Sequence, residues 1–172
     1  MQTLQTLIRA MPDFPKAGVT FRDITPLLAD ARQFARCIDL LAEPWSEQRI
    51  DAVCAIESRG FIFGAALAIK LGAGFVPLRK PGKLPPPVIG IDYELEYGHD
   101  RLEARADALH TGARVLLIDD VLATGGTLAA AHALIDTTGA HIVGASVVIE
   151  LPALSGRKRW PDELPLHALL RY

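Results

Sequence analysis

Val115–Thr127, VLLIDDVLATGGT, runs from uninterrupted apolar residues into two carboxylates and then into a small, hydroxyl-bearing turn. Val115 to Ile118 read as a strand buried on both faces of a parallel sheet, which delivers Asp119 and Asp120 to its C-terminal edge. Ligands of open α/β sheets bind at that edge. Ala123, Thr124, Gly125, Gly126 and Thr127 offer backbone N–H groups and two hydroxyls, and Leu128 to Ile135 continue as a helix. A helix N-terminus with free N–H groups attracts a phosphate. Adjacent carboxylates do not bind a bare phosphate, but they accept hydrogen bonds from vicinal hydroxyls, so the two halves together fit a ribose 5-phosphate. A plain capped helix after a buried strand needs neither paired carboxylates nor two glycines.

Working outward, strand and helix patterns alternate. Ala52–Ile56 reads as a buried strand, Phe61–Leu71 as an apolar helix, Phe75–Leu78 as a second strand and Ile142–Ile149 as another, which predicts a parallel sheet. Asp30–Leu41 is helical by pattern, and Leu4–Met11 reads as a short amphipathic helix. Asp13–Pro26 is a Pro/Gly-punctuated surface segment, and Pro152–Tyr172 an irregular tail ending in Leu166–Leu170. Between Arg79 and Arg105 the alternation of Ile89, Ile91, Tyr93, Leu95 and Tyr97 predicts a protruding hairpin, and so long an excursion is usually functional or disordered.

Composition bounds the answer. The chain has 172 residues, which suits one α/β domain spanning 1–172 with a full-sized core. The longest uncharged apolar stretch, Gly60–Ile69, is too short to span a bilayer. The N-terminal MQTLQTLIRAMPDFP lacks the pattern of a secretory signal, so a cytoplasmic protein is expected, with no membrane partner. Cys37 and Cys54 have unrelated spacing and read as reduced packing residues. The five histidines share no metal spacing, Trp45 and Trp160 read as packing residues of surface helices, and no P-loop motif is present. A net charge of −2 provides no global basic field, so no nucleic-acid partner is expected and a polyanionic ligand must be held locally.

Two further constellations sit where such a ligand would need them. Glu57-Ser58-Arg59-Gly60 follows the first buried strand, on the same sheet edge as the acidic pair. A guanidinium fork there matches phosphate oxygens. Arg79-Lys80-Pro81-Gly82-Lys83 sets three cations beside the stiff Pro85-Pro86-Pro87 run. By itself that is a solvated loop, whereas beside the other motifs it reads as a lid.

The paired acidic residues followed by a Thr/Gly loop resemble the phosphoribosyl pyrophosphate (PRPP) signature of type I phosphoribosyltransferases. Phe14–Pro26, FPKAGVTFRDITP, resembles the FP-x-x-GV-x-FRDITP block of the adenine phosphoribosyltransferase family, and Leu95-Glu96-Tyr97-Gly98 resembles that family's lid block. The resemblance covers nearly the whole chain. It implies an α/β fold with a central, mostly parallel sheet flanked by helices, a small N-terminal base-binding hood at 1–26 and a flexible lid at 79–105. It implies transfer of the phosphoribosyl group of PRPP to N9 of adenine, giving AMP and pyrophosphate with inversion at C1′.

Site roles follow from the same resemblance. Ala123, Thr124, Gly125, Gly126 and Thr127 would bind the 5-phosphate. Glu57, Ser58, Arg59, Gly60, Lys80 and Lys83 would bind pyrophosphate, with a non-proline cis peptide expected at Glu57-Ser58. Thr20, Phe21, Arg22 and Leu151 would bind adenine. Asp119 and Asp120 would fix the ribose hydroxyls and stabilise a ribosyl cation. Hypoxanthine-guanine enzymes usually carry an Asp where Ala123 stands, so Glu96, with Tyr97 beside it on the lid, is assigned to the purine imidazole ring. Magnesium is implied as cofactor, held mainly through substrate and water, and a homodimer is implied because a basic lid residue reaches the neighbouring site in related enzymes. A phosphoribosyltransferase for xanthine or orotate, and a non-catalytic PRPP-sensing regulator, remain the alternatives.

Overall fold

The computed structural model describes residues 3–94 and 98–172. It divides into two compact units, 1–40 and 41–172.

In the first unit a 3-10 turn at Leu4–Leu7 leads into β1 (Arg9–Met11), which pairs antiparallel with β2 (Phe21–Asp23). The single amphipathic helix expected over Leu4–Met11 is therefore corrected. Leu4 and Leu7 are both buried at the three-residue repeat of a 3-10 turn, and the residues after Ile8 take up strand pairing. The loop between the strands is closed by Gly18 N–H donating to Asp13 Oδ1 (2.8 Å) and Phe14 N–H to the Val19 carbonyl (3.1 Å). Phe14 meets Phe21 edge-to-face at 5.2 Å. Asp23 accepts from the Thr25 N–H (2.9 Å) and so starts the short helix α1 (Thr25–Ala29). Asp30 Oδ1 accepts from the N–H groups of Arg32 and Gln33, both at 3.0 Å, and opens α2 (Ala31–Ala42).

In the second unit a five-stranded sheet carries the fold. β3 (Ala52–Ile56), α3 (Gly60–Leu71), β4 (Gly74–Leu78), β5 (Val88–Glu94), β6 (His99–Arg105), β7 (Arg114–Leu122), α4 (Gly126–Asp136), β8 (His141–Glu150) and β9 (Leu166–Arg171) follow in order. The sheet order is β4-β3-β7-β8-β9, every neighbouring pair parallel. Continuous apolar runs form its centre because helices cover it: all of β3 is buried, as are Val115 to Ile118 of β7. Buried Cys37 and Cys54 are free thiols that burial pushes up to about 12.

Three expectations change here. The tail is not wholly irregular, because Leu166–Arg171 adds the parallel edge strand β9. It is pinned by Glu150, whose carboxylate accepts from Arg157 Nε (2.9 Å), Arg157 Nη2 (2.8 Å) and Arg171 Nε (3.1 Å), while Arg157 Nη1 donates to the Leu166 carbonyl (2.8 Å). Trp45 and Trp160 are core residues instead of surface packing. Trp45 Nε1 donates to Ser146 Oγ (2.8 Å) and Trp160 Nε1 to the Leu164 carbonyl (2.9 Å), which satisfies the one polar atom of each ring. The β5–β6 hairpin is antiparallel as expected, but its foot is anchored: Ile89, Ile91 and Tyr93 pack on the core, and Leu102 and Ala104 are buried in it. Arg79 and Glu103 exchange two backbone hydrogen bonds of 2.8 Å at its base. Among the described residues no helix is long and apolar enough to cross a membrane.

Candidate active site

β3 and β7 run side by side only as far as Ala55 and Ile118, so Asp119 and Asp120 lie where β3 has left the sheet while β7 still pairs with β8 as far as Leu122. The turn that leaves β3 meets them there. Its Glu57-Ser58 peptide is cis, as the resemblance implied, and its Arg59 donates from Nε to Asp120 Oδ2 at 2.5 Å. That ion pair joins two motifs 61 residues apart. Asp120 is nearly buried in it, whereas Arg59 stays partly exposed. Asp119 Oδ1 accepts from the Asp120 N–H (2.8 Å). Burial, followed by the like charge of Asp120, pushes the Asp119 carboxyl well above the usual carboxylate range. At Gly60 a Cβ would lie 3.0 Å from Asp119 Oδ1 and 3.3 Å from the Ile118 carbonyl, so the missing side chain lets α3 begin directly against β7.

Beyond the acidic pair, Asp119, Val121, Leu122, Ala123, Thr124 and the Gly125–Leu128 segment line a pocket. Gly125 is the N-cap of α4 with φ +81°, a left-handed conformation open to glycine, and no side chain caps the helix there. The first N–H groups of α4 therefore face the pocket rim without an intrahelical partner. Leu151 sits beside this strand end, its N–H donating to the Leu122 carbonyl (2.9 Å).

The expected pyrophosphate cations are brought together, each on a carboxylate of the chain itself. Glu57 accepts from Lys83 Nζ, from the Lys80 N–H (2.9 Å) and from Arg79 Nε (3.2 Å). Burial alone would raise the Glu57 carboxyl, but these donors outweigh it and hold the group at about 2. Glu57 thus acts through its carboxylate as an organiser of cations, and any contact it makes with an anion must come from its backbone. Lys80 Nζ donates to Asp100 and to Tyr93 Oη (3.1 Å). Burial alone would lower Lys80 and raise Asp100, yet their pairing, with Tyr93, moves both the other way. From the sequence, Arg79 and Tyr93 read only as parts of the lid with no assigned role, and Asp100 is not read at all. Asp100 lies opposite Tyr93 in the hairpin register, a pairing that only the folded hairpin sets.

Phe21 and Arg22 lie in β2 of the first unit, with Thr20 exposed just before them. Glu96 and Tyr97 lie outside the described residues. Among the described residues no three His, Cys, Asp or Glu side chains converge as a metal site.

A family model described as Phosphoribosyl transferase domain matches residues 24–163. The adenine phosphoribosyltransferase of Xanthomonas campestris pv. campestris (strain B100) is 56% identical over 165 residues, covering 96% of this chain and 89% of that protein. That of Cyanothece sp. (strain PCC 7425 / ATCC 29141) is 56% identical over 169 residues, covering 98% and 99%. The crystal structure of adenine phosphoribosyltransferase from Rhodothermus marinus superposes with a TM-score of 0.94 at 48% identity, covering 98% of this chain and 96% of that one. The Saccharomyces cerevisiae enzyme, complexed with an imino-altritol bisphosphate and adenine, has a TM-score of 0.91 at 39% identity, covering 97% and 96%.

Proposed function

Because the chain belongs to the adenine phosphoribosyltransferase family, we propose that it transfers the 5-phosphoribosyl group of PRPP to N9 of adenine, releasing AMP and pyrophosphate with inversion at C1′. One observation carries the reading: Arg59 Nε on Asp120 Oδ2 joins the basic turn to the acidic pair, whose Asp119 lines one pocket with the 123–127 loop. The N–H groups of Ala123 to Thr127 take the 5-phosphate where the α4 dipole favours an anion. Asp119 and Asp120 accept from the ribose hydroxyls and contribute negative charge as positive charge develops at C1′. A guanidinium has five N–H donors, so holding Asp120 through Nε is compatible with Arg59 meeting pyrophosphate through others. Ser58 and Gly60 add backbone donors, and Lys80 and Lys83 add charge from the lid.

Thr20, Phe21, Arg22 and Leu151 are assigned to adenine recognition in this proposal, and Glu96 hydrogen-bonds N7 or helps to remove the N9 proton, with Tyr97 next to it in the sequence. The lid at 79–105 keeps water from a ribosyl cation that it would intercept, and the hood at 1–26 carries base-binding residues. The residues fit a magnesium ion held mainly through substrate oxygens and water, since among the described residues no three His, Cys, Asp or Glu side chains converge to hold one. When bound, that ion offsets the charge gathering on the departing pyrophosphate. We propose a homodimer with a basic lid residue reaching the neighbouring site, and a cytoplasmic enzyme, as befits a polyanionic substrate that does not cross bilayers unaided.

The test is a magnesium-dependent assay of PRPP with adenine, hypoxanthine, guanine, xanthine and orotate in parallel. AMP from adenine alone is expected. Turnover of another base would overturn the adenine assignment, and PRPP binding without turnover would replace the enzyme with a regulator.

A further inference from the structure

Lys80 is held unusually well for a lysine at the foot of a lid. Its ammonium donates to the Asp100 carboxylate and to Tyr93 Oη (3.1 Å), Tyr93 O–H donates to Asp100 Oδ2 (3.0 Å), and the ammonium lies 5.5 Å from the Tyr93 ring centroid. Tyr93 and Asp100 are direct cross-strand partners in the β5–β6 register, so the hairpin itself sets their spacing. The lysine backbone is fixed as well, its N–H bound to Glu57 (2.9 Å). Tyr93 Oη also stands 3.5 Å from Thr127 Oγ1, within reach of the phosphate loop. One phenol therefore touches both the lid cation and the loop that opens α4.

We propose that Tyr93 and Asp100 are positioning residues that order the Lys80 ammonium beside the phosphate loop before the anionic substrate arrives. The inference rests on the phosphoribosyltransferase reading, in which Lys80 meets pyrophosphate. An ammonium has three N–H donors. Two are engaged by Tyr93 and Asp100, which aims the third. A lysine carries a flexible four-carbon stem whose ordering costs affinity when the ligand must impose it. Here the hairpin has imposed it already. Glu57 acts on the same segment from the other side through the backbone, so Lys80 is fixed at both ends of its side chain.

The experiment is a double-mutant cycle read by calorimetric binding of magnesium pyrophosphate to the full chain. Tyr93→Phe removes only the hydroxyl and is expected to weaken magnesium pyrophosphate about 5-fold, the scale of leaving one long side chain to be ordered by the ligand. In a Lys80→Ala background the same substitution is expected to change that affinity less than about 1.5-fold, because the group it positions is gone. Adenine affinity, measured alongside, should stay within about 2-fold. An equal Tyr93→Phe effect in both backgrounds overturns the proposal, and so does no effect in either. Should Tyr93→Phe fail to fold, Asp100→Asn replaces it, and its effect, of either sign, must likewise vanish without Lys80. A wild-type chain that makes no AMP and does not bind magnesium pyrophosphate would instead bring down the phosphoribosyltransferase reading. Wild-type turnover with an additive cycle brings down the positioning role alone.

Discussion

Gly125 and Gly156 face each other so closely that a Cβ on Gly125 would fall 2.3 Å from the Gly156 carbonyl oxygen, and one on Gly156 would fall 2.1 Å from that of Ala123. The phosphate loop is thus backed by the 155–160 segment, backbone against backbone. Gly156→Ala must displace one or the other. Its kcat/KM for PRPP is expected to fall by about 10²-fold, the scale of a misplacement near 1 Å. Steady-state kinetics check this, with the adenine KM expected to change little.

Asp120→Asn keeps the shape of the acidic pair and removes the charge that Arg59 holds. If that charge stabilises the transition state, turnover drops by about 10²-fold or more in single-turnover measurements. Near-normal turnover would remove Asp120 from the role proposed for it.

Glu57 links stability to pH. Its folded-state carboxyl, at about 2, lies below its ordinary 4.5, so the stabilisation is complete above about pH 4.5 and is lost as pH falls toward 2. Urea midpoints measured between pH 6 and pH 3 should fall in the wild type. Glu57→Gln lowers the midpoint at pH 6 and flattens the slope below 4.5.

The buried Trp45 Nε1–Ser146 Oγ bond of 2.8 Å ties the segment after α2 to the sheet. Ser146→Ala leaves the indole N–H without its partner at a cost of about 1–3 kcal/mol. For a chain of this size each kcal/mol lowers Tm by about 2–4 °C. Calorimetry reads it directly, and kinetic constants at low temperature should hardly move.

Chelation separates catalysis from folding. EDTA is expected to abolish AMP formation, and added magnesium to restore it, while Tm stays unchanged because among the described residues no cluster of side chains forms a cage for the ion.

Periodicity and small-residue punctuation were enough to read β3, α3, β4, β7, α4 and β8 within a residue or two at most ends, because a strand buried on both faces must be apolar throughout and leave no ambiguity of face. The same runs put the acidic pair and the Glu57 turn on one sheet edge. The first residues went the other way: Leu4–Met11 carries a helical pattern, yet Arg9–Met11 pairs with β2, since a backbone partner brought in from outside the window outweighs local propensity. Edge strand β9 was equally hidden, its place secured by Arg157 and Arg171 on Glu150.

The sequence by itself determined the types of chemistry at the sheet edge: two carboxylates, a glycine turn without a side-chain cap and a set of basic residues. Only the tertiary structure decided their pairings, with Arg59 on Asp120, Lys83 and Arg79 on Glu57, and Lys80 on Asp100. It also decided that Gly156 backs the phosphate loop. Charge and size are properties of a residue and can be read in order along the chain. Which carboxylate lies within about 3 Å of which cation is a property of strand register and of how closely two backbones approach, and neither exists until the chain is folded.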